Sequence, residues 1–534
     1  MPLTIRERGQ KVADWLKTNG HQSIEAIATA IDLSKSSVHR HQQALTRRHQ
    51  YPESSFWETT VGAAWLCRLV VAVVYHFGIK QGVGAESLSA FFQAVHLETH
   101  VGSSASALRQ FKHRIEAHIL AYEEAQAELC QPVGQPGICL GADETFFEGP
   151  ILVLVELASG FIFTEVAGAN RRYDTWRAQV GRWWHPSHWQ CHFLVSDQAQ
   201  ALVKLAVTGL VTAHVSDLFH AMRALSRPIG STLSRQLNRL KQQGDALAQR
   251  LSQDMDAAKQ QALRSQLETC RAQQQQLEAD QQRYHDALAN ISQTVHPFAI
   301  ETSQWQFLEA LTTQVSVPLA TLSNLATTYG SNQAQSAIET FRAQIPSFAT
   351  GIHAWWQWVI QDLATQTPDV DIQNWVLMAL LPWVYWSQQA AKTRTPQLKA
   401  RYQQAASDAF DTLMAEAMTL QLKDTELQQW VQWCQWMAAK YQRTSSAVEG
   451  RNGYLSQRHH ASRGFSPQSL KVLTIIHNFD LKRADGTTAA QRLFGQSFPD
   501  LFEWVLSNID ELPMPRMSPK ARQAKPLHGE LFPA

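Results

Sequence analysis

The sequence of 534 residues lacks several features that would place it in a well-defined class. It holds only six cysteines, and no two of them have C-x-x-C spacing, so it indicates neither a zinc ribbon nor a disulfide framework. The N-terminal residues MPLTIRERGQK contain no apolar core of the kind that a secretory signal needs. The formal net charge is only +1, so the whole chain does not indicate a polyanionic partner. These absences favour a cytoplasmic protein.

A membrane span is not indicated either. The run from Val61 to Phe77 is apolar enough to test as one, but Arg68 lies in its middle and His76 near its end. A membrane-spanning helix needs about 20 predominantly apolar residues. We therefore interpret the run as a buried helix and expect no membrane partner.

The length of the chain predicts roughly two to four domains. A hydrophobic content of 44% and a charged content of 17% are ordinary for globular proteins. The charge is uneven, however: residues 1–50 hold eight Lys or Arg against four Asp or Glu, and residues 441–490 hold seven against three. Such local basic segments can bind nucleic acid even when the net charge is near zero.

Residues 24–46, IEAIATAIDLSKSSVHRHQQALT, have the pattern of two helices joined by a short turn. A second helix that begins with small polar and basic residues is typical of the helix-turn-helix, in which that helix enters the major groove of DNA. A plain helical hairpin is the alternative. Residues 86–115 have a similar rhythm and form a second candidate for DNA recognition. The side chains that we expect to face DNA are Lys35, Ser36, Ser37, His39 and Arg40.

From residue 138 the sequence changes to short β-rich runs. ICLGADETFF, ILVLVELAS and GFIFTEVAG are separated by turn residues and predict three consecutive strands. HFLVSD and TAHVSD predict a fourth and a fifth strand, each preceded by a helical segment, so the order is β-β-β-α-β-α-β. Asp143 lies at or near the end of the first strand, and Asp197 at the end of the fourth.

After Gly230 the sequence is helical for roughly two hundred residues. Leucines and other apolar residues recur at spacings of three and four between positions 233 and 291, which is typical of a coiled coil. This pattern allows either one long helix or a helical hairpin. Trp-rich helical segments follow, and five prolines from Pro513 onward predict a flexible tail.

Asp143 and Asp197 would meet if the first and fourth strands are neighbours in the sheet. Two carboxylates there would repel each other unless a cation lay between them, and Mg²⁺ suits such oxygen ligands. A third carboxylate would complete a two-ion site for phosphodiester chemistry. Our candidate is Glu449, which lies in the basic segment TSSAVEGRNGYLSQRHHASRGF, residues 444–465. The alternative is that Glu449 only completes a capping box with Ser446, and that the two aspartates are ordinary strand-end acids.

This order of strands and acids resembles the RNase H-like fold of DDE transposases and retroviral integrases. Residues 444–465 are similar to the third-acid motif of insertion-sequence, Mutator-type and hAT-type transposases, in which Arg or Asn follows a Glu within a turn, as Arg451 and Asn452 do here. Residues 217–220, DLFH, are similar to the [C/D]-x-x-H signature of the hAT and Mutator lineages. Those families also carry a largely helical insertion between the second and third acids.

The resemblance implies a transposase that binds the terminal repeats of a mobile DNA element and catalyses metal-dependent strand cleavage and strand transfer. The implied cofactor is Mg²⁺ or Mn²⁺, with two ions per active site. The implied partners are the double-stranded DNA of the element ends and of the target, together with further copies of the chain in a homodimer or higher homo-oligomer, in the cytoplasm at the nucleoid. The alternative is a catalytically inactive, transposase-derived DNA-binding regulator.

The same resemblance assigns roles to individual residues. Asp143, Asp197 and Glu449 would bind the metal ions. His220 would contact the scissile phosphate or orient Asp217, and its alternative role is a local helix cap. Asn452, one helical turn beyond Glu449, could also support the site. The residues that would hold DNA near the acids are Arg451, Asn452, Arg458 and Arg463.

We therefore predict an α/β fold in which an RNase H-like mixed sheet is interrupted by a large all-helical insertion and follows an N-terminal helix-turn-helix domain. The predicted boundaries are 1–58 for the helix-turn-helix domain, 59–132 for a helical and possible second DNA-binding domain, 133–226 for the first part of the core, 227–440 for the insertion with its coiled coil, 441–510 for the C-terminal helical part of the core, and 511–534 for the flexible tail.

Overall fold

The computed structural model of the chain describes residues 5–48, 51, 53–253, 256–462 and 464–515. These residues form an α/β protein with one five-stranded mixed sheet and many helices. The chain divides into two compact units. The first unit comprises Met1–Cys130, Leu455–Gln491 and Gly495–Ala534, and the second comprises Gln131–Tyr454 and Arg492–Phe494.

The helices are numbered in chain order. The first eleven are α1 (Ile5–Asn19), α2 (Ile24–Ala30), α3 (Lys35–Arg48), α4 (Ser54–Trp57), α5 (Thr60–Ala72), α6 (Ala85–Ala94), α7 (Ala105–Ala125), α8 (Tyr173–Val180), α9 (Gln200–Lys204), α10 (Leu218–Gln253) and α11 (Ala257–Thr294). The others are α12 (Leu308–Thr328), α13 (Asn332–Gln366), α14 (Val370–Trp375), α15 (Leu381–Lys392), α16 (Pro396–Ala415), α17 (Ala417–Gln421), α18 (Asp424–Lys440), α19 (Ser446–Ser462), α20 (Pro467–Phe479), α21 (Ala489–Phe494) and α22 (Leu501–Ser507). Three π-helical segments, Val73–Lys80, Leu205–Leu210 and Val376–Leu380, and one 3₁₀ turn, Leu97–Thr99, complete the helical elements.

The sheet of the second unit has the strand order β3-β2-β1-β4-β5. Strand β2 runs antiparallel to β1 and β3, whereas β1, β4 and β5 are parallel. The five predicted strands are therefore confirmed, and the condition under which Asp143 and Asp197 would meet is satisfied, because β1 and β4 are neighbours. Their bounds are β1 (Gly137–Phe146), β2 (Pro150–Glu156), β3 (Ile162–Ala167), β4 (Gln190–Ser196) and β5 (Ala213–Ser216).

Helices cover both faces of the sheet, which is why β2 is buried from Ile151 to Glu156 without alternation. On one face, Trp176 of α8 and Leu202 of α9 pack into an apolar cluster with residues of β1, β2 and β4. On the other face α13 comes very close to β5: a Cβ on Gly351 would lie 2.9 Å from Val215. Only glycine permits that approach.

The long helical region between the sheet and α19 begins with a hairpin. Tyr284 of α11 donates a hydrogen bond to the carbonyl of Ser226 in α10 at 2.9 Å, and Cys270 of α11 contacts the carbonyl of Leu240. Positions therefore rise along one helix as they fall along the other, so α10 and α11 are antiparallel. The sequence left open whether this region is one helix or two, and the structure shows two.

The first unit begins with three helices, α1 to α3, around a small apolar core of Val12, Ile27, Ala28 and Val38. The two helices and the turn predicted for residues 24–46 are confirmed, with Asp32 in the left-handed region at φ 53°. Its expected role in DNA binding remains a prediction.

The side chains expected to face DNA from α3 do not all do so. Four of them, Lys35, Ser36, His39 and Arg40, are exposed. Ser37 is buried at 4% exposure, so the structure does not support its expected contact with DNA. It lies next to Val38 on the side of α3 that packs on α1 and α2, because the inward stripe of this helix begins one residue earlier than the sequence pattern suggested.

One described helical stretch, Thr60–Lys80, is long and apolar enough to cross a membrane by length and composition alone. Half of its most apolar window is buried inside the protein, as in the core helix of a folded unit. Arg68, in its middle, forms a two-pronged ion pair with Glu503 of α22.

The predicted tail lies mostly outside the described residues, which end at Pro515. Within the described part, the carbonyl of Pro513 accepts a hydrogen bond from the amide of Gly102, and the carbonyl of Glu511 accepts one from Arg114. Residues 511–515 are therefore held against the helices of the first unit.

A buried ion pair fixes the start of α19 to the sheet. Arg451 of α19 donates two hydrogen bonds, at 2.6 and 2.7 Å, to the carboxylate of Glu165 in β3. The two side chains are only 2% and 0% exposed. Removing one partner of such a pair leaves the other charge buried without compensation, which is far more costly than losing an exposed pair.

We predict that Glu165→Gln lowers the free energy of unfolding of the second unit by about 3–5 kcal/mol, because Arg451 then keeps an uncompensated buried charge. Urea denaturation followed by tryptophan fluorescence measures the change. Glu301→Gln is the matched control, since it removes an exposed carboxylate paired with Arg401 in the same unit and should leave the midpoint nearly unchanged. Equal midpoints for Glu165→Gln and the parent would contradict the prediction.

Candidate metal centre

The centre begins at the edge of the sheet where β1 and β4 lie side by side. Their parallel pairing ends at Ala142 opposite Ser196, so Asp143 and Asp197 each follow directly after the last paired residue. Asp143 itself lies inside β1 and pairs with Val153 of β2. The two aspartates are therefore placed at the same edge, as the sequence predicted from the strand order.

The register of the sheet explains how α19 reaches Asp143. Asp143 lies opposite Val153, and Val153 lies opposite Glu165, so Asp143 and Glu165 share one face of the sheet two strands apart. Helix α19 contacts both of these acids: Arg451 pairs with Glu165, and Asn452 donates a hydrogen bond to Asp143 at 2.9 Å. These two contacts determine where the preceding residues of α19 lie.

Glu449 and His220 complete a cluster with Asp143. The Nε2 atom of His220, at the start of α10, lies 2.9 Å from Oε1 of Glu449. Each of the three side chains offers one possible ligand atom, and these atoms all lie within 4.8 Å of one another. All three residues are partly buried, with 31% of the side chains of His220 and Glu449 exposed. The cluster is thus shielded and still open to solvent on one side.

The electrostatics of the cluster act most strongly on Asp143. Burial, together with the negative charges of Glu449 and Asp197, raises the pKa of Asp143 to about 7, against the lowering effect of its hydrogen bond from the backbone and of His220. Burial is the largest of these causes, and the neighbouring carboxylates of Glu449 and Asp197 add to it by repelling the charged form of Asp143. A bound cation would relieve this repulsion.

A single carboxylate, that of Asp217, positions both helices of the centre. Asp217 follows β5 and is 2% exposed. Its Oδ1 accepts hydrogen bonds from the amides of Phe219 and His220, at 2.7 and 3.3 Å, and so caps the start of α10. Its Oδ2 accepts bonds from the amide of Ser445, at 2.8 Å, and from the Ser445 hydroxyl. Ser445 directly precedes α19, so one side chain ties His220 and Glu449 to the end of the sheet.

Two unpartnered polar atoms indicate that the cluster fits a cation. The Nε2 atom of His220 is close to Glu449, but their geometry is not that of a hydrogen bond, and Nε2 is inaccessible to solvent without a hydrogen-bond partner among the described residues. The Oδ1 atom of Asn452 is also inaccessible to solvent and has no hydrogen-bond partner among the described residues. Carboxylates suit Mg²⁺ and Mn²⁺, whereas imidazole suits transition metals. Of the two expected ions, Mn²⁺ is therefore the one that accommodates the whole set.

The structure brings together only part of the expected triad. Asp143 and Glu449 meet, although they are far apart in sequence, and the carboxylate of Glu449 faces His220. Asp197 lies near enough for its charge to act on Asp143, but it is not one of the three clustered ligands, and its Oδ1 accepts a hydrogen bond from the amide of Ala199. His220 takes the third place instead.

The sequence pointed to His220 as a functional residue but did not predict that it would be one of the three clustered ligands. The resemblance suggested contact with the scissile phosphate or with Asp217. In the structure Asp217 accepts from the backbone of His220, and the imidazole is directed at Glu449. The sequence signal that could have identified it is the position of His220 three residues after Asp217, at the start of a helix. Side chains on a helix point toward its N-terminus, so the imidazole of His220 is directed toward the end of β5.

The arginines expected to hold DNA phosphates lie elsewhere. The structure does not support this role for Arg451, which is 4% exposed and donates two hydrogen bonds to Glu165, or for Arg458, which is 5% exposed and donates to the carbonyl of Ile79. Both are buried because α19 packs on other elements along the face that carries them. Asn452, the fourth expected DNA contact, donates to Asp143 instead, and Arg463 lies outside the described residues.

Comparison with known proteins gives one match. Residues 376–521 match the model of a family of unknown function, DUF6399, which covers less than a third of the chain. The matched region includes Glu449 and Asn452 but neither Asp143 nor His220. No curated protein matches the chain. No solved structure matches it either.

We predict that affinity for Mn²⁺ falls as the pH drops below 7. With a pKa of about 7, Asp143 is half protonated at pH 7 in the protein without metal, and only the deprotonated carboxylate binds a cation. The loss should approach about 10-fold per pH unit on the acid side and level off above the pKa. Calorimetry in buffers of different ionisation enthalpy measures both the affinity and the protons released. An affinity that does not change between pH values on either side of 7 would contradict the prediction.

We also predict that Asp217→Asn weakens Mn²⁺ binding about 10-fold or more, because it loosens the tie that positions His220 and Glu449. Ser445→Ala should produce a smaller loss in the same direction. Asp369→Asn is the matched control, because Asp369 caps α14 in the same unit with two backbone amides and has no part in the centre. If Asp217→Asn and Asp369→Asn bind Mn²⁺ equally well, Asp217 does not position the ligands.

Proposed function

We propose that the protein is a DDE-type transposase with an RNase H-like core, which cleaves DNA at the ends of a mobile element and joins those ends to a target. The observation that carries the proposal is the convergence of Asp143, His220 and Glu449 from three distant parts of the sequence. The strand order β3-β2-β1-β4-β5, with the two aspartates after neighbouring parallel strands, supports it.

The chemistry needed is the attack of water on a phosphodiester, followed by attack of the freed 3′-hydroxyl on another strand. A divalent cation bound here would supply positive charge to the phosphate oxygens in both steps. Asp143, His220 and Glu449 would hold one ion. Asp197, next to Asp143 at the end of β4, would hold the second expected ion together with Asp143. The hydrogen bond from Asn452 orients the carboxylate of Asp143 for this purpose.

The remaining elements suit the same function. The helix-turn-helix of α2 and α3 exposes Lys35, Ser36, His39 and Arg40 and would read the terminal repeats. The helical hairpin and the helices that follow it would help to pair two copies of the chain across two DNA ends. Such a protein would act in the cytoplasm at the nucleoid.

We predict that Asp143→Asn, Asp197→Asn and Glu449→Gln each reduce cleavage of end-containing DNA by about 100-fold or more in Mg²⁺ or Mn²⁺, because each removes a negative ligand with little change of shape. DNA binding should persist in all three variants. Gel assays with labelled DNA that carries the inverted repeats flanking the gene measure both properties.

The control for this experiment is Glu144→Gln. Glu144 is the residue after Asp143 in β1, but it points to the opposite face of the sheet, where it accepts a hydrogen bond from Trp176 that glutamine can also accept. This variant should cut like the parent. If Glu449→Gln also cuts like the parent, Glu449 is not a ligand. If the parent binds the ends and cuts nothing in either metal, the protein is a DNA-binding regulator and the proposal fails.

A further inference from the structure

The exposed face of α10 carries a row of basic side chains that begins one turn after His220. Between Asp217 and Asp245 the sequence contains no acidic residue. From position 223 to 243 the exposed residues are basic, small or polar, and none is a large apolar side chain. The basic residues, which we call the basic face of α10, are Arg223, Arg227, Arg235, Arg239 and Lys241, and all five are exposed.

The opposite side of the same helix explains why these side chains face outward. Leu225, Ile229, Leu233 and Leu237 recur at every fourth position and are buried, in the part of α10 that packs on α11 and α13. The basic face is therefore the side of α10 that the rest of the second unit leaves uncovered.

The charge of this face is not compensated within the protein. None of its five residues forms an ion pair with another residue in the described part of the chain. Two cations of α11 differ in this respect, since Lys259 pairs with Asp256 and Arg283 pairs with Asp280. Arg264 and Arg271 of α11 are exposed without an ion pair among the described residues, as the cations of α10 are. An uncompensated row of cations on a near-neutral protein is a surface for a polyanion.

The position and length of the face identify that polyanion. Arg223 follows His220 by one turn, so the row starts at the candidate metal centre. At about 1.5 Å per residue, the 18 steps along the helix from Arg223 to Lys241 span about 27 Å. Along duplex DNA this length corresponds to roughly eight base pairs at about 3.4 Å each. The polar residues between the cations can donate hydrogen bonds to phosphates, and no aromatic residue lies between Arg223 and Lys241 to stack on unpaired bases. The exposed aromatic side chain of α10 is Phe219, one turn before this row.

We propose that the basic face of α10 binds the sugar-phosphate backbone of the double-stranded DNA whose scissile phosphate lies at the metal centre. This inference rests on the proposed function and adds to it the path that the duplex takes away from the site. It also replaces Arg451 and Arg458, which the structure places in buried contacts, as the source of phosphate binding next to the acids.

The test is the salt dependence of DNA binding by the full chain without divalent metal. The variant Arg223→Gln/Arg227→Gln/Lys241→Gln should bind a duplex of unrelated sequence about 10-fold or more weakly, and the slope of log affinity against log salt should fall by about 2.7, or about 0.9 for each lost phosphate contact. Fluorescence anisotropy with labelled duplex measures both quantities.

The matched control makes the same change of charge on the other helix of the hairpin. Lys259→Gln/Arg264→Gln/Arg271→Gln removes three exposed cations from α11, far from the metal centre, and should leave the slope as it is in the parent. Circular dichroism should show that both variants keep the helical content of the parent, since none of the six side chains is buried.

The outcomes separate this inference from the proposed function. If the α10 variant binds the duplex with the slope of the parent, or if both triple variants lose affinity equally, the inference is overturned while the cleavage results stand unaffected. If the parent binds an RNA duplex of the same length more tightly than DNA through this face, DNA is the wrong occupant. If the parent cuts no DNA but the α10 variant alone loses affinity and slope, the proposed function fails and the face is supported as a DNA surface.

Discussion

The carboxylate of Asp217 is the tie on which the candidate centre depends. It accepts four hydrogen bonds from two helices that enter the site from opposite ends of a long helical region. The strand end beneath it is fixed as well, because the amide of Ser216 donates to Ser347 of α13. His220 and Glu449 therefore meet only if β5, α10 and the start of α19 are assembled together, so the centre depends on tertiary packing and not on local sequence.

That assembly brings together groups that repel each other. Asp143 and Glu449 approach at a partly buried point near Asp197, and burial together with the charges of these two neighbours raises the pKa of Asp143. Two buried ties oppose the repulsion: the Arg451–Glu165 pair holds α19 to β3, and Asn452 donates directly to Asp143. Two carboxylates beside an imidazole without a hydrogen-bond partner are an arrangement that a bound cation would stabilise, because it would offset the repulsion between the acids.

The sequence predicted the sheet and the acids because both leave local signals. The predicted strands are apolar runs separated by turn residues. Asp143 and Asp197 lie near the ends of two such runs, so their positions in the sheet follow once the order of the strands is known. The third ligand left a weaker signal, since a histidine at a helix start has several ordinary roles. The partners of Arg451 and Arg458 left none: Glu165 lies 286 positions before Arg451 and Ile79 lies 379 before Arg458, so no local pattern connects them. The charge of residues 441–490 therefore predicts a DNA surface from the sequence alone, whereas in the structure part of it stabilises the fold.

For α10 the sequence indicated the opposite: it gave no reason to expect a charged surface, and the structure shows one. In the sequence its arginines stand within a leucine repeat, and that repeat is typical of a coiled coil whose outer positions are merely solvated. What distinguishes them is visible only in three dimensions: all five residues of the basic face are exposed on the part of α10 that α11 and α13 leave uncovered, they have no acidic partners among the described residues, and the first of them follows His220 of the candidate metal centre by one turn. The density of charged residues along the sequence therefore does not show which charges lie on the surface of the folded protein. Arg451 and Arg458, which follow Glu449 in sequence, are buried against the carboxylate of Glu165 and the carbonyl of Ile79, whereas the cations of α10 are exposed to solvent.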